Sequence, residues 1–371
     1  MMSARFLTVV LERAFNMRDG FGREIDYMRI SVIDSCNLNC YYCNPCDNNE
    51  HCHALNILSV KEVLCIVRAA TRLGIKHFRL TGGEPLLHPQ LDEMVLQIKK
   101  IPGVSSVSLT TNAVLLVQHA KWLKEAGIDS VNVSLDTIDA SEYERITKKP
   151  LLEEVKHGIN AAIECGIRVK INVVLTPQTD VVALTRYVAK KGTDIRFIEM
   201  MPVGEGHTNG VEPYKKVIGT LSKLYGEPCR INTEKTKEIN SGNDKRKIPD
   251  NGPAEYYIFP ELGIRVGLIQ AIHGKFCDTC NRIRVTADGR LMPCLGSSVT
   301  MDLVPDSWDF ADDVEKDFAI VRALRAAIKA KPRCHNFNDN AVTYTKTTET
   351  KTTEIEAAEV NAARNMSRIG G

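Results

Sequence analysis

Two groups of three cysteines are the residues of this sequence best suited to carry chemistry. In the first group, Cys36, Cys40 and Cys43 have the spacing C-x3-C-x2-C. Three thiolates can bind three irons of a cubane iron–sulfur cluster and leave the fourth iron open to another ligand. The alternative is a structural zinc site that takes its fourth ligand from the following loop. That loop offers Cys46, His51, Cys52 and His53.

The second group consists of Cys277, Cys280 and Cys294. Structural metal sites usually have four protein ligands, so another trio suggests a second cluster with an open iron. A zinc ribbon that recruits His273 or Cys229 is the alternative, and this group alone does not decide between them.

Two arginines follow the second group directly, in the stretch F-C-D-T-C-N-R-I-R. Arg282 and Arg284 are two positions apart on a predicted strand and therefore project from one face. Paired guanidinium groups suit a phosphate or purine ligand. Surface salt bridges on a solvated strand are the alternative.

Alternating strands and helices must position these groups. Short β-branched segments, each followed by an amphipathic segment, recur six times and predict a parallel sheet, open or curled into a partial barrel. The predicted strands are Met28–Ile33, His77–Leu80, Val104–Thr110, Ser130–Leu135, Ile167–Leu175 and Asp194–Met200. The predicted helices are Ser59–Leu73, Leu91–Ile101, Leu115–Ala126, Leu151–Cys165 and Val181–Lys191. Ser59 and Glu62 form a predicted capping box for the first helix.

Small polar motifs end several of these strands. Residues 81–85 read T-G-G-E-P, residues 110–112 read T-T-N and residues 134–136 read S-L-D. Because ligands bind at the carboxyl ends of strands in parallel sheets, these motifs and the first cysteine trio are expected to share one site.

The chain after about residue 201 departs from this alternation. Residues 263–268 and 282–286 are predicted strands of a smaller C-terminal unit, and residues 311–329 are a predicted helix. The Thr-, Lys- and Glu-rich segment Thr343–Glu356 is assigned no fold. The expected division is an N-terminal extension (1–22), a barrel (23–235) and a C-terminal auxiliary unit (236–371).

Composition excludes some classes of protein. The 371 residues carry a net charge of only +2, which argues against a protein that mainly grips nucleic acid. No apolar run approaches the roughly 20 residues needed to cross a bilayer. We therefore expect a cytoplasmic protein with no membrane partner, whose cysteines serve metal or thiol chemistry rather than disulfides.

Together with the first trio, the strand-end motifs make the sequence similar to the radical S-adenosylmethionine (SAM) family. The resemblance implies a partial (β/α)6 TIM-like barrel in which Cys36, Cys40 and Cys43 bind a [4Fe-4S] cluster. The open iron would bind SAM, whose reductive cleavage yields a 5'-deoxyadenosyl radical. The implied SAM-binding residues are Tyr42, Gly83, Asn112, Ser134 and Met201.

The second trio, its arginines and the terminal Gly370-Gly371 make the sequence resemble the GTP 3',8-cyclases of molybdenum cofactor biosynthesis. The resemblance implies a second [4Fe-4S] cluster on Cys277, Cys280 and Cys294 that binds GTP, and a direct role for Arg282, Arg284, Gly370 and Gly371 in the reaction. The implied GTP-binding residues are Arg29, Arg79, Thr110, Lys170, Arg196, Arg282 and Arg284. It also implies a homodimer, a reductant of unknown identity and a downstream cyclic pyranopterin monophosphate synthase.

Two features depart from the cyclase pattern. His77 stands where a basic residue is common, which puts one phosphate contact in doubt, and Cys46 and Cys52 are unexplained. Two other functions stay open at this point: a radical SAM peptide maturase, which also has C-terminal cluster cysteines, and a zinc-stapled binding module without catalysis.

Overall fold

Six consecutive strands form the centre of the sheet, in agreement with the predicted alternation. The computed structural model describes residues 17–43, 56–203, 211–231, 252–297, 299–303, 313–335 and 337. The six strands are β1 (Tyr27–Ser31), β2 (His77–Thr81), β3 (Ser106–Thr111), β4 (Ser130–Ser134), β5 (Val169–Val174) and β6 (Asp194–Ile198). Each pairs with the next in parallel.

Helices connect these strands, as the periodicity predicts. They are α1 (Val60–Arg72), α2 (Leu91–Lys99), α3 (Leu116–Glu125), α4 (Ala140–Thr147), α5 (Leu152–Glu164) and α6 (Val181–Lys190). The Ser59–Glu62 capping box is present. Gly74, with φ +86°, follows α1 in a left-handed conformation that favours glycine. The short helix α4 was not predicted.

The C-terminal strands extend both edges of the same sheet. They are β7 (Cys229–Ile231), β8 (Glu255–Ile258), β9 (Arg265–Ile269), β10 (Arg282–Val285), β11 (Arg290–Met292) and β12 (Met301–Asp302). The order is β12-β11-β10-β1-β2-β3-β4-β5-β6-β9-β8-β7. Strand β10 runs parallel to β1 and β9 runs parallel to β6, so the curled parallel sheet gains one strand at each edge.

Two further helices follow β6 in the chain, α7 (Gly219–Tyr225) and α8 (Asp313–Lys329). Helix α8 packs against α1, where Arg72 donates to Asp317 at 2.7 Å. This contact joins the last described helix to the first. The predicted boundaries at residues 22 and 235 stay predictions, and residue 235 lies outside the described residues.

Alternation along the strands divides the core into two surfaces. One set of side chains, such as Met28, Phe78 and Val131, is fully buried in the apolar core. The intervening positions, such as Arg29 and Asn132, are polar and line an internal cavity. Because successive strand residues point to opposite faces, the sheet is sealed by apolar packing on one side and presents a polar surface on the other. No helix in the described ranges is long and apolar enough to span a membrane.

Candidate active site

The polar surface of the sheet encloses a cavity of about 580 Å³. Every predicted site residue within the described ranges lines this cavity, including both cysteine trios. The lining residues from the prediction are Arg29, Cys36, Cys40, Tyr42, Cys43, Arg79, Gly83, Thr110, Asn112, Ser134, Lys170, Arg196, Met201, Cys277, Cys280, Arg282, Arg284 and Cys294. Gly370 and Gly371, together with Cys46 and Cys52, lie outside the described residues.

The first trio lies in the segment that follows β1. Burial raises the pKa of the Cys36 thiol to about 11. Burial, followed by the charge of Cys43, raises the pKa of Cys40 further. The amide Nδ2 of Asn112 is 3.8 Å from the Cys36 sulfur and donates to Asn37 at 2.7 Å. Because clustered buried thiolates need a positive partner, this donor set fits an iron–sulfur cluster.

Helix α4 supports this segment from outside. The backbone N–H of Asn39 donates to the carbonyl of Thr147 at 3.0 Å, and that of Tyr41 donates to Ile146 at 3.1 Å. The segment therefore rests on the C-terminal end of the helix that the sequence analysis missed.

Gly82 and Gly83, directly after β2, allow the backbone there to lie unusually close to the backbone of residues 33–35. Gly83 donates its N–H to the carbonyl of Ile33 at 2.7 Å. A Cβ atom added at Gly83 would lie 2.2 Å from the carbonyl oxygen of Ser35, the residue before Cys36. Gly82 has the same constraint, with Ile33 O at 2.4 Å from its added Cβ. The glycines thus set the position of the first trio relative to β2.

Glu84 fixes the strand-end motifs to one another. Its buried carboxylate accepts hydrogen bonds from the Thr111 hydroxyl at 2.6 Å, the Asn112 N–H at 2.7 Å and the Leu86 N–H at 3.0 Å. Burial raises its pKa to about 7, although the hydrogen bonds oppose this shift. Glu84 was quoted in the sequence motif but not named as a site residue.

Tyr42 is tied to the end of the fourth strand. Its hydroxyl donates to Asp136 at 2.5 Å, and the other oxygen of Asp136 accepts from the Val174 N–H at 2.8 Å. Burial raises the pKa of Asp136 to about 6. The pair connects the first trio with the carboxyl ends of β4 and β5.

The second trio lies at the start of β10. Cys277 opens a short 3-10 turn, and the N–H of Cys280 donates to the Cys277 carbonyl at 3.1 Å. Although burial raises the pKa of Cys280, the charges of Arg282 and Lys331 lower it to about 7. Three cysteines that line one cavity beside two cations fit a negatively charged metal–thiolate group.

Neither alternative fourth ligand lies with the second trio in the cavity. Cys229 is exposed on β7, and His273 pairs through Nδ1 with the buried carboxylate of Glu199. In the part of the chain that the structure describes, no three His, Cys, Asp or Glu side chains surround a single metal-ion position. A cubane cluster attaches each cysteine to a different iron and therefore needs wider sulfur spacing than one ion. These observations disfavour a zinc ribbon formed by His273 or Cys229.

Three arginines lie side by side across adjacent strands. Arg29 is in register with Arg284 on β10 and with Arg79 on β2. Burial, and then the charge of Arg284, lower the pKa of Arg29, and burial with the charge of Arg282 lowers that of Arg284 to about 10. Cations that are crowded to this degree favour a polyanionic ligand.

The opposite wall carries two more predicted cations. Arg196 donates through Nε to the amide oxygen of Asn172 at 2.9 Å, and Lys170 lies in register with Asn132. The ammonium of Lys170 is 5.9 Å from the Tyr256 ring centroid. The structure therefore places positive charge on both sides of the cavity.

Sequence reasoning missed several cavity residues. Asn132 is buried, and its amide oxygen has no hydrogen-bond partner in the described part of the protein. Tyr27 accepts a hydrogen bond from Arg79 Nε. Both occupy the strand positions that alternate with apolar residues, the same positions as Arg29 and Ser134. Extending the period of two along each strand would have found them.

His77 also lines the cavity, at the start of β2. Its Nδ1 lies 2.8 Å from the Ser106 hydroxyl, and its other nitrogen faces Asp26 at 4.0 Å. Burial lowers the pKa of His77, so this side chain supplies less positive charge than the neighbouring arginines.

Two family models together match most of the chain. The radical SAM superfamily model matches residues 30–183, and the molybdenum cofactor synthesis C model matches residues 193–337. The chain is 36% identical over 324 residues to GTP 3',8-cyclase from Clostridium perfringens, covering 86% of this chain and 95% of that protein. It is 37% identical over 327 residues to GTP 3',8-cyclase from Pelotomaculum thermopropionicum, with the same two coverages.

Solved structures share the fold at lower identity. Streptococcus suis SuiB matches with a TM-score of 0.54 and 15% identity, covering 81% of this chain and 68% of that chain. The structure of anSMEcpe with bound AdoMet matches with a TM-score of 0.51 and 18% identity, covering 82% and 84%. These similarities support the curled β/α architecture.

Proposed function

Since the chain belongs to the GTP 3',8-cyclase family of radical SAM enzymes, we propose that it converts GTP to (8S)-3',8-cyclo-7,8-dihydroguanosine 5'-triphosphate. The observation that carries the proposal is that two cysteine trios line one cavity, together with a group of cationic side chains on adjacent strands. A cluster on the first trio would serve radical formation, and the cations are suited to binding a nucleoside triphosphate. This product belongs to molybdenum cofactor biosynthesis.

Cys36, Cys40 and Cys43 would hold a [4Fe-4S] cluster, and Tyr42, Gly83, Asn112, Ser134 and Met201 would contact SAM. When bound, the cluster and SAM supply a 5'-deoxyadenosyl radical that removes the ribose 3' hydrogen of GTP. The close backbone approach at Gly83 and the Glu84 hydrogen bonds fix the walls around this end of the cavity. Their part is to orient two ligands, which intramolecular chemistry requires.

The cations would bind the triphosphate. A triphosphate carries about four negative charges, and several converging guanidinium or ammonium groups are needed to offset its desolvation. Arg29, Arg79 and Arg284 form one cationic row across three strands. The full proposed set adds Thr110, Lys170, Arg196 and Arg282, all of which line the cavity.

Cys277, Cys280 and Cys294 would hold a second [4Fe-4S] cluster, which would bind the guanine base of GTP. Loss of the ribose 3' hydrogen lets C3' bond to C8 of the guanine, and one electron with one proton completes the dihydropurine. The product is therefore an isomer of GTP. Each turnover takes two electrons, one for SAM cleavage and one for this reduction, from a one-electron reductant of unknown identity.

Several parts of the proposal rest on family membership alone. Gly370 and Gly371, like Arg282 and Arg284, are assigned a direct role in cyclisation. A homodimer and a downstream cyclic pyranopterin monophosphate synthase are expected partners. The proposed division keeps the SAM barrel at 23–235 and the auxiliary unit at 236–371.

The test is product formation by reconstituted protein under anaerobic conditions with SAM and dithionite. GTP, but not ATP, should yield an isomer of the nucleotide together with 5'-deoxyadenosine. Arg284→Ala should reduce GTP-dependent product at least tenfold while leaving SAM binding intact, because it removes one buried phosphate ligand. Arg322→Ala, an exposed arginine on α8, is the matched control and should be unchanged.

Formation of 5'-deoxyadenosine without any nucleotide isomer would contradict the substrate assignment while leaving radical chemistry in place. A peptide substrate would then be the next hypothesis. A protein that binds zinc without sulfide would contradict both the substrate assignment and the radical chemistry.

A further inference from the structure

The buried ammonium of Lys331 links the segment that contains Cys280 to the segment that contains Cys294. Its side chain is only 3% exposed and donates to the carbonyls of Arg282 and Pro293, both at 2.8 Å. Lys331 and Cys280 line the same cavity, and the positive charge of Lys331 lowers the pKa of the Cys280 thiol. Arg282 follows Cys280 by two positions and Pro293 precedes Cys294, so one cation spans the gap between them.

Arg23, near the start of the described chain, contacts the remaining cysteine of the trio, Cys277. Its guanidinium donates to the Cys277 carbonyl at 2.6 Å, to Arg333 O at 2.9 Å and to Pro332 O at 2.6 Å. Asp19 orients it through a salt bridge of 2.5 Å. Arg23 thereby ties Cys277 to the segment that contains Lys331.

The same C-terminal segment reaches Cys277 directly. The backbone N–H of His335 lowers the pKa of the Cys277 thiol, although burial has the larger and opposite effect. Residues 331–335 therefore place an ammonium and a backbone N–H near two of the three cysteines. This number of donors around sulfur atoms is typical of residues that tune a metal–thiolate centre.

Within the described part of the chain, the surroundings of Lys331 leave its positive charge without a negatively charged partner. Among the described residues its hydrogen-bond partners are two carbonyls, and no carboxylate lies in salt-bridge range. Burying an ammonium without a negative partner is strongly unfavourable. A negatively charged group on the cysteines would offset that cost.

We infer that Lys331 and Arg23 are positioning residues for the second cluster: they hold Cys277, Cys280 and Cys294 in place, and Lys331 raises the cluster's reduction potential. The inference rests on the proposed second cluster. A cation beside the sulfur stabilises the form with the extra electron, which makes reduction easier. A purely structural lysine would stabilise the fold without moving that potential.

The test isolates the second cluster in the full chain. Replacing Cys36, Cys40 and Cys43 by alanine leaves only the second trio to bind a cluster, whose iron, sulfide, EPR spectrum and reduction potential are then measured. Adding Lys331→Met should shift the potential negative by about 59 mV or more, which is a tenfold change in a one-electron equilibrium. Lys329→Met, an exposed lysine at the end of α8 and two positions before Lys331, is the matched control.

The outcomes distinguish the existence of the second cluster from the role of Lys331. A protein with intact Lys331 whose second trio binds no iron contradicts the proposed second cluster itself. A cluster that binds normally but keeps its potential and EPR spectrum in Lys331→Met overturns the inference. Loss of the second cluster from a Lys331→Met protein that keeps its far-UV circular dichroism supports it.

Arg23→Lys provides a second variant in case Lys331→Met does not fold. It keeps the positive charge, but an ammonium lacks the planar fork that contacts three separate carbonyls. Iron occupancy of the second trio should fall at least twofold, while occupancy of the first trio in the otherwise unaltered chain stays constant. Full occupancy of the second trio in Arg23→Lys would overturn the positioning role of Arg23.

Discussion

Adding one methyl group at Gly83 is predicted to displace the first cysteine trio. An added Cβ would lie 2.2 Å from Ser35 O, 2.4 Å from Ser35 C and 2.5 Å from Asp34 O, whereas ordinary contacts begin at 3.4 Å. The backbone must therefore open by more than 1 Å next to Cys36. The Gly83 N–H bond to Ile33, at 2.7 Å, resists that movement.

Two magnitudes follow for Gly83→Ala. Overpacking of this kind costs about 1–3 kcal/mol of unfolding free energy. A displacement of about 1 Å near the reacting groups reduces turnover about 100-fold. The assays are chemical unfolding, iron and sulfide per chain, and the rate of 5'-deoxyadenosine formation from SAM. The greatest effect is expected on the rate.

Gly219→Ala is the matched control for this substitution. Gly219 has φ −60°, and an added Cβ would have no neighbour within 4 Å. The same methyl group should therefore stabilise the protein by about 0.4–1 kcal/mol by restricting the unfolded chain. If Gly83→Ala matched this control in stability, iron content and rate, the claim that Gly83 positions Cys36 would be refuted.

Two further predictions concern a buried carboxyl group and the chain terminus. Because the pKa of Glu84 rises from 4.5 to about 7 on folding, the folded protein retains a proton that the unfolded chain releases. The unfolding free energy should thus fall by about 3 kcal/mol as pH rises from about 4 to about 8, and Glu84→Gln should remove this contribution in urea titrations at both pH values. Deleting Gly370–Gly371 should abolish the cyclised nucleotide while SAM binding stays unchanged, and full turnover by the truncated chain would contradict the tail's role.

The parallel barrel was predictable because its signals are local. Each of the six central strands is a short β-branched segment next to an amphipathic helix, and glycine or a capping residue marks the boundaries. The structure confirms those strands within a few residues. The strand-end motifs predicted one shared site for the same reason, since parallel strands bring their carboxyl ends together.

The edges of the sheet could not be predicted in this way. Strand β10 pairs with β1 across more than half of the chain, and no local pattern specifies that register. The sequence analysis therefore placed β9 and β10 in a smaller unit, whereas the structure adds them to the barrel edges. The same pairing aligns Arg29 with Arg284, which explains how distant arginines form one row.

Charged residues with structural partners were also hard to identify. Arg23 and Lys331 are isolated basic residues in sequence, and such residues usually lie on the surface. Their burial becomes visible only in the fold, where Arg23 contacts both Cys277 and Pro332. Helix α4 was missed because it is short and polar, although Asp139, which accepts from the Glu142 N–H, marks its start.

Transfer of an isotope tests the central claim most directly. GTP that carries deuterium at the ribose 3' position is incubated with reconstituted protein, SAM and dithionite, and 5'-deoxyadenosine is analysed by mass spectrometry. The account predicts one deuterium in 5'-deoxyadenosine and none at that carbon in the cyclised nucleotide. Unlabelled 5'-deoxyadenosine formed alongside the nucleotide isomer would contradict abstraction from this position.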